Sequence, residues 1–437
     1  MTPSTLPSTN HLAHSEYTHV NYPIEQYRLD NGLRLIVSSD PHAPGVAVNL
    51  WYHVGSSDEV VHRSGFAHLF EHLMFAGSSQ VASGEHLASI QAVGGSANAT
   101  TSFDRTNYYE TVPPHAVDLA LWLEADRMAS LRVDDHNLNT QRDVVKEEKR
   151  QRYDNVPYGD QLELLLQLNF PDTHPYAHPV IGSMDDLNAA TLDDVQQFYH
   201  RWYQPSSAVL TLVGAITPEL AYEKVDHYFS PITSHSSEDH QILPPLDVHK
   251  DHPSLVVKRD VPRSVSHLCW RTPPIDHPDR LAVDMALELL AGNESSRLVA
   301  LMERELGWSE SVSTYDFSLA RSSSLAVISC VHLPDSSPQR SSERICAELD
   351  RIIAEGPSPD EVARTRASLE RQWLASLSPL DQRADFISMS AVHFSDPNRI
   401  NRELDEAMRL DSDDIRQALC RWLHPDAVAE LLYEVKR

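Results

Sequence analysis

The order of strand-like and helix-like segments is read twice along this chain, and that repeat restricts the fold more than any other feature. A hairpin signal opens the first half: Tyr27 to Leu29 and Leu33 to Val37 flank the turn Asp30-Asn31-Gly32. Strands are expected at 46–54, 96–103, 106–112 and 208–213. Helices are expected from Pro113 through Ala129, where Leu119, Ala120 and Leu123 recur at helical spacing, then near 134–153, 160–168, 192–202 and 218–228. Thr191 with Asp194 three residues on caps the helix at 192. After residue 254 the order returns: strands at 255–259 and 266–271, helices at 278–290 and 295–305, a strand pair at 311–319 and 323–332, and helices at 341–354 and 359–375. A repeat of about 220 residues with both element types argues for duplication of one unit. The expected fold is α+β: two tandem homologous units, each a mainly antiparallel sheet flanked by helices. The expected division is a disordered tail at 1–22, a first domain at 23–230, a Ser-, His- and Pro-rich linker at 231–253 and a second domain at 254–437.

Only the first unit carries His68-Leu69-Phe70-Glu71-His72. On a helix, four residues make slightly more than one turn, so the two imidazoles share a face. Both can reach one ion at about 2.0–2.1 Å, the zinc–imidazole distance. Glu71 projects close to that face, near enough to exchange a proton with a metal-bound water without ligating the metal. H-x-x-E-H is the inverzincin signature. With 24 histidines in the chain, the pattern alone could arise by chance. The flanks strengthen it: Phe66, Leu69, Phe70, Leu73, Met74 and Phe75 suit a helix buried on most sides, and Gly77 suits its end. The competing reading is two hydrogen-bonded core histidines beside a neutral glutamate.

Two histidines leave a tetrahedral zinc short of one protein ligand plus water; Asp, Glu, Cys or a third His could supply it. The helix at 141–150 offers Glu147 and Glu148, about 100° apart around the axis. Val144 and Val145 mark its expected buried side, which Glu148 shares, with Glu147 on the flank. An exposed acid–base helix surface is the alternative.

The chain resembles the pitrilysin/insulinase family of zinc metallopeptidases, in particular the short bacterial members similar to mitochondrial processing peptidase. The resemblance rests on H-x-x-E-H followed by Arg142-Asp143-Val144-Val145-Lys146-Glu147-Glu148. It extends to the 94–101 and 104–109 segments, Asn155 to Gly159, His174-Pro175-Tyr176, Pro179 to Ser183 and Tyr203-Gln204-Pro205. It covers nearly the whole chain, the second half mainly in topology. It implies one Zn2+ per chain held by His68, His72 and Glu148, with Glu71 as general base in peptide-bond hydrolysis. It implies that substrate lies as an added strand along 96–101, beside Ala97 and Asn98, and is held by Arg297. Two positions depart from the family pattern. Gln141 stands where a second glutamate is common one helical spacing before the ligand, and Glu310 stands where a substrate-holding Tyr is common; Tyr315 is off register. Short members commonly work in pairs, which implies a heterodimer with a homologous subunit lacking H-x-x-E-H, or else a homodimer. A non-catalytic, partner-binding subunit of the same fold is the alternative function.

Composition trims the remaining classes. The formal net charge is −27, which argues against nucleic acid or an anionic membrane surface as partner. No apolar run reaches the roughly 18 residues of a membrane span. The first 25 residues carry no apolar core and no Lys or Arg, unlike a secretory or transit peptide, so a cytoplasmic location is expected. Cys269, Cys330, Cys346 and Cys420 form no C-x-x-C pair and read as reduced, buried small residues rather than a disulfide frame or a zinc knuckle. His174 and His178, beside Pro175 and Pro179, read as loop residues, and His53 and His62 as surface or supporting groups rather than ligands.

Overall fold

The computed structural model describes residues 21–60, 63–234, 240 and 243–436. Two sheets organise them. The first contains β1 (Glu25–Arg28), β2 (Arg34–Ser39), β3 (Val46–Tyr52), β4 (Ser96–Thr101), β5 (Thr106–Val112) and β6 (Ala208–Gly214), in the order β1-β2-β6-β3-β5-β4. The second contains β7 (Ser254–Arg259), β8 (Val265–Thr272), β9 (Ser309–Phe317), β10 (Ser324–His332) and β11 (Ala429–Val435), in the order β7-β11-β8-β10-β9. Each sheet has one parallel pair, β2 with β6 and β7 with β11, and is otherwise antiparallel. The second sheet therefore repeats the first strand for strand, except for β1. This is the α+β duplication that the repeated order predicts.

Both faces of each sheet are covered, which explains why β3 and β6 are buried at every position. Alternation sorts the side chains. Val46, Val48, Leu50 and Tyr52 face helices of their own half, α1 (Phe66–Leu73) and α3 (Val117–Ser130) among them. Ala47 and Trp51, with Ile36, Val209 and Val213, face Ala384, Ile387 and Ala391 on the helix Leu380–His393 of the second half. The exchange is reciprocal. Leu165 and Leu166 of α5 (Gln161–Asn169), with Phe170 and Tyr176, cover Cys269, Leu325, Val327, Leu431 and Tyr433 of the second sheet. Each half thus lends a helix to the other's sheet.

The segment expected as a linker lies against this junction where it is described. Leu243 N–H donates to Arg321 O, Leu246 N–H to Ser323 Oγ, and His240 stacks on Trp202 at 4.9 Å. Residues 1–20 of the expected disordered tail lie outside the described residues. Its last residue departs from expectation: Tyr22 N–H donates to Asn401 Oδ1 at 2.8 Å, which anchors it to the second half. No helix among the described residues is long and apolar enough to cross a membrane.

Candidate metal centre

The motif segment is helical, as its spacing predicts. Gly65 caps α1 with φ 90°, a conformation that favours glycine, and a Cβ there would stand 2.8 Å from Ile181 O. No N-cap side chain serves this helix. Its free backbone N–H groups are taken instead by Glu59, which accepts from Gly65 at 2.9 Å and Ala67 at 2.7 Å. Asp186 accepts from Ser64 N–H at 2.9 Å. The start of α1 is therefore fixed before the first histidine. Leu69, Phe70 and Leu73 are buried, so His68, Glu71 and His72 share the remaining face.

α4 (Asp135–Lys149) lies across α1 and brings Glu148 to it. Glu148 Oε2 is 3.3 Å from His72 Nε2 and 3.7 Å from His68 Nε2. Tetrahedral ligands about 2.05 Å from a zinc ion lie roughly 3.3 Å apart. Two imidazole nitrogens and one carboxylate oxygen at these separations therefore fit zinc, with one tetrahedral corner left over. His68 turns Nε2 to this point, while its Nδ1 is buried without a hydrogen-bond partner among the described residues, a cost that zinc at Nε2 would not remove. Burial, with the neighbouring His72, pushes the His68 pKa down to about 4, which keeps the imidazole neutral and able to ligate. The hydrogen bond with His72 lowers the Glu148 pKa and keeps it ionised.

Glu71 differs from Glu148. Burial raises its pKa, opposed by a hydrogen bond from Thr101. Thr101 Oγ1 of β4 donates to Glu71 Oε2 at 2.5 Å, tying the motif helix to the edge of the sheet. β4 is the last strand of the sheet and pairs with β5 alone among the described strands. It carries Ala97 and the exposed Asn98. Asn98 Oδ1 accepts from Ala99 N–H at 2.9 Å, so that oxygen serves its own strand.

Several expectations are adjusted by these contacts. Val145 is buried but Val144 is 46% exposed, so only Val145 marks the inner side of α4; Glu148 still turns inward, and Glu147 bonds Arg150 and Gln151 outside. Among the described contacts Gln141 makes no hydrogen bond to His68, His72 or Glu148. The implied substrate-holding Arg297 is committed within its own half, to Glu361 through two bonds of 2.8 and 2.7 Å and to Glu348 at 3.4 Å. Glu310 pairs with Arg263 at 3.1 Å. His53 sits apart from the centre, 3.9 Å from His240 ring to ring; His62 lies outside the described residues. His174 and His178 lie in loop, as read; His174 is buried and meets Ser322. Three contacts went unread: Thr101 on Glu71, Glu59 on the start of α1, and Arg152 Nη1 at 2.7 Å from Glu148 Oε1. Arg152 lies four residues after Glu148, a spacing that signals helix pairing. The chain between them leaves α4 for a π turn over Arg150–Asp154.

Comparisons with known proteins bear on the family and the fold. The family description "Insulinase (Peptidase family M16)" matches residues 34–182, and "Peptidase M16 inactive domain" matches residues 189–369, the stretch without the motif. The zinc protease PqqE of Helicobacter pylori is 32% identical over 284 residues, 63% of this chain and 62% of that protein, so the match spans under two thirds of that relative. The crystal structure of a protease from Helicobacter pylori superposes with a TM-score of 0.87 at 24% identity, over 95% of this chain and all of that one. The periplasmic protease PqqL of Escherichia coli superposes with a TM-score of 0.78 at 18% identity, over 96% of this chain and 48% of that one. The two family descriptions together span most of the molecule, and the chain belongs to the insulinase family of peptidases, family M16.

Proposed function

We propose that this chain is a zinc-dependent endopeptidase. The observation that carries the reading is the convergence of His68 Nε2, His72 Nε2 and Glu148 Oε2 on one point beside a second carboxyl, Glu71, held by Thr101. Bound zinc would lower the pKa of a water molecule and polarise the scissile carbonyl. The chain's own residues supply the rest. Thr101 occupies Glu71 Oε2 and leaves Oε1 to take the proton of the attacking water. Burial raises the pKa of Glu71, which helps it hold that proton until the leaving amine needs it. An extended peptide added along β4 meets backbone groups beside Ala97 and Asn98, a mode that gains affinity with little sequence demand. The test is zinc content by atomic absorption together with cleavage of an internally quenched peptide pool. A chain without zinc, and without cleavage alone or with a companion subunit, overturns the reading.

The working form is a pair. PqqL is matched over about half its length, so that longer chain has room for a second such unit. Here Arg297 and Glu310 are both occupied by ion pairs inside their own half, which leaves substrate grip to a second chain. The favoured partner is a homologous subunit lacking H-x-x-E-H, with a homodimer as runner-up. Light scattering on this chain alone, and mixed with such a homologue, distinguishes them.

A further inference from the structure

Behind the motif helix lies a second group of side chains of metal-binding type, which hydrolysis as described does not use. His86 of α2 (Glu85–Ala92), Glu110 of β5 and Glu124 of α3 bring ligand atoms within 4.8 Å of one another, all buried. Here the cation is already built in. Arg127, 2% exposed, donates from Nε to Glu124 Oε2 at 2.9 Å and from Nη2 to Glu124 Oε1. His86 Nε2 stands 2.7 Å from Glu110 Oε1. Glu110 Oε2 and Arg127 Nη1 have no partner. The guanidinium supplies the positive charge that a metal would bring to this group.

Charge counting then calls for a proton. Burial holds His86 neutral, its pKa pushed down to about 3. Two carboxylates against one guanidinium leave one negative charge uncompensated among buried side chains, which burial strongly disfavours. A single proton on the carboxylate pair cancels it, and lets Glu110 Oε2 join a hydrogen bond. Burial raises the pKa of both carboxyls, the direction that a shared proton requires.

The location gives this block a task. The Arg127 guanidinium carbon lies 4.9 Å from the ring centre of Phe75 and 4.3 Å from that of Tyr108. Phe75 lies two residues past the end of α1, with its N–H donated to His72 O at 3.1 Å. Tyr108 sits on β5 opposite Ala99 of β4, two residues from the Thr101 that holds Glu71. One side chain thus touches the end of the helix carrying His68, Glu71 and His72 and the strand that supports the sheet edge.

We propose that His86, Glu110, Glu124 and Arg127 form a charge-neutral, proton-sharing block in which Arg127 is a positioning residue, setting the motif helix against β4. The proposal rests on the metal-centre reading above. Two comparisons test it. Arg127→Met combined with Glu124→Gln keeps the pocket neutral, with one proton on Glu110, but removes the guanidinium from Phe75 and Tyr108. We expect thermal stability near that of the native chain, with cobalt(II) bound about tenfold more weakly and with an altered visible spectrum. Native stability with native cobalt affinity and spectrum would show that the block serves the fold alone, and would overturn the proposal. Should that variant not fold, Glu124→Gln alone decides the proton. One infrared component of a protonated carboxyl, present in the native chain at neutral pH, should be lost in the variant; identical carboxyl bands in the two chains overturn the block. A native chain that binds neither cobalt nor zinc defeats the metal-centre reading itself, a result distinct from a loss confined to the variant.

Discussion

Arg152 Nη1 stands 2.7 Å from Glu148 Oε1, on the side of the carboxylate away from the histidines. Oε2 is thereby turned towards His72 and His68. Arg152 is 72% exposed, so as an ion pair the contact is screened and weak. Its value is orientation: groups that hold a metal ligand in place commonly carry about tenfold in affinity. Arg152→Met should therefore weaken zinc binding by about tenfold at low salt and by less at high salt, with the fold unchanged. Competition against a chromophoric chelator at two salt concentrations measures both. Equal affinity in variant and native chain would remove the orienting role.

Glu71→Gln separates metal binding from chemistry. The amide keeps a hydrogen bond with Thr101 but has no basic oxygen for the water's proton. Zinc content should stay at one per chain, while turnover falls by about 10²–10⁴-fold, the usual contribution of a general base. His72→Ala should instead lose the metal. A Glu71→Gln chain that cleaves at the native rate would refute the assigned proton transfer.

How much of this centre was readable in the sequence depends on how local each contact is. His68, Glu71 and His72 sit within one helical turn, so their spacing alone places them together. The Thr191–Asp194 capping box is equally local and is present as read. Glu148 was readable through Val145, although Val144 turned out to face solvent. The exchanged helix Leu380–His393 was not read, because its apolar stripe matches strands far upstream: Ser388 Oγ donates to Thr211 Oγ1 of β6 at 2.8 Å, and Trp51 Nε1 of β3 donates to Asp385 Oδ1 at 2.7 Å. β11 was missed for the same reason; its neighbours β7 and β8 lie far upstream. The pairing of Arg297 with Glu361 is also tertiary, and no periodicity announces it.

Acid should destabilise this fold in a defined direction. His174, His249, His267, His332 and His393 all have pKa values pushed down by burial to about 4. Unfolded histidine titrates near 6.5, so as pH falls the unfolded chain takes up protons first. The stability these groups contribute is present above about pH 6.5 and is lost as pH falls towards about 4. The buried carboxyls Glu59, Glu71, Glu110, Glu124, Asp316 and Glu403 have raised values and work the other way, but with His53, His68, His86 and His178 also pushed down by burial the histidines outnumber them. Calorimetry should show a lower melting temperature at about pH 5 than at about pH 7.5. His267, with neither ring nitrogen hydrogen-bonded, is the cleanest probe. His267→Phe keeps a ring, removes the basic nitrogens and should flatten part of the dependence; an unchanged slope would exclude His267 as a contributor.

Arg321 offers the sharpest test of how the halves hold together. It reaches from the turn between β9 and β10 into the first half, with Nη2 2.9 Å from Asp58 Oδ2 and Nε 3.4 Å from Asp104 Oδ1. Tyr176 closes the group, donating to Asp104 at 2.7 Å and accepting from Arg321 N–H at 2.9 Å. Burial alone would raise the Asp58 pKa, yet hydrogen bonds from His240 and Arg321 with the guanidinium charge hold it down to about 2. Removing the cation strands two buried carboxylates, which typically costs about 3–5 kcal/mol. Arg321→Met should lose about that much in urea unfolding. Adding Asp58→Asn, which removes one of the stranded charges, should restore part of the loss. Asp58 also precedes Glu59, the residue that caps α1, so a disturbance at Arg321 has a short path to the motif helix. Peptide cleavage by the folded Arg321→Met chain should therefore fall even under conditions where unfolding is negligible. Full activity in a variant that has lost the expected stability would mean that the junction supports the fold without steering the metal centre.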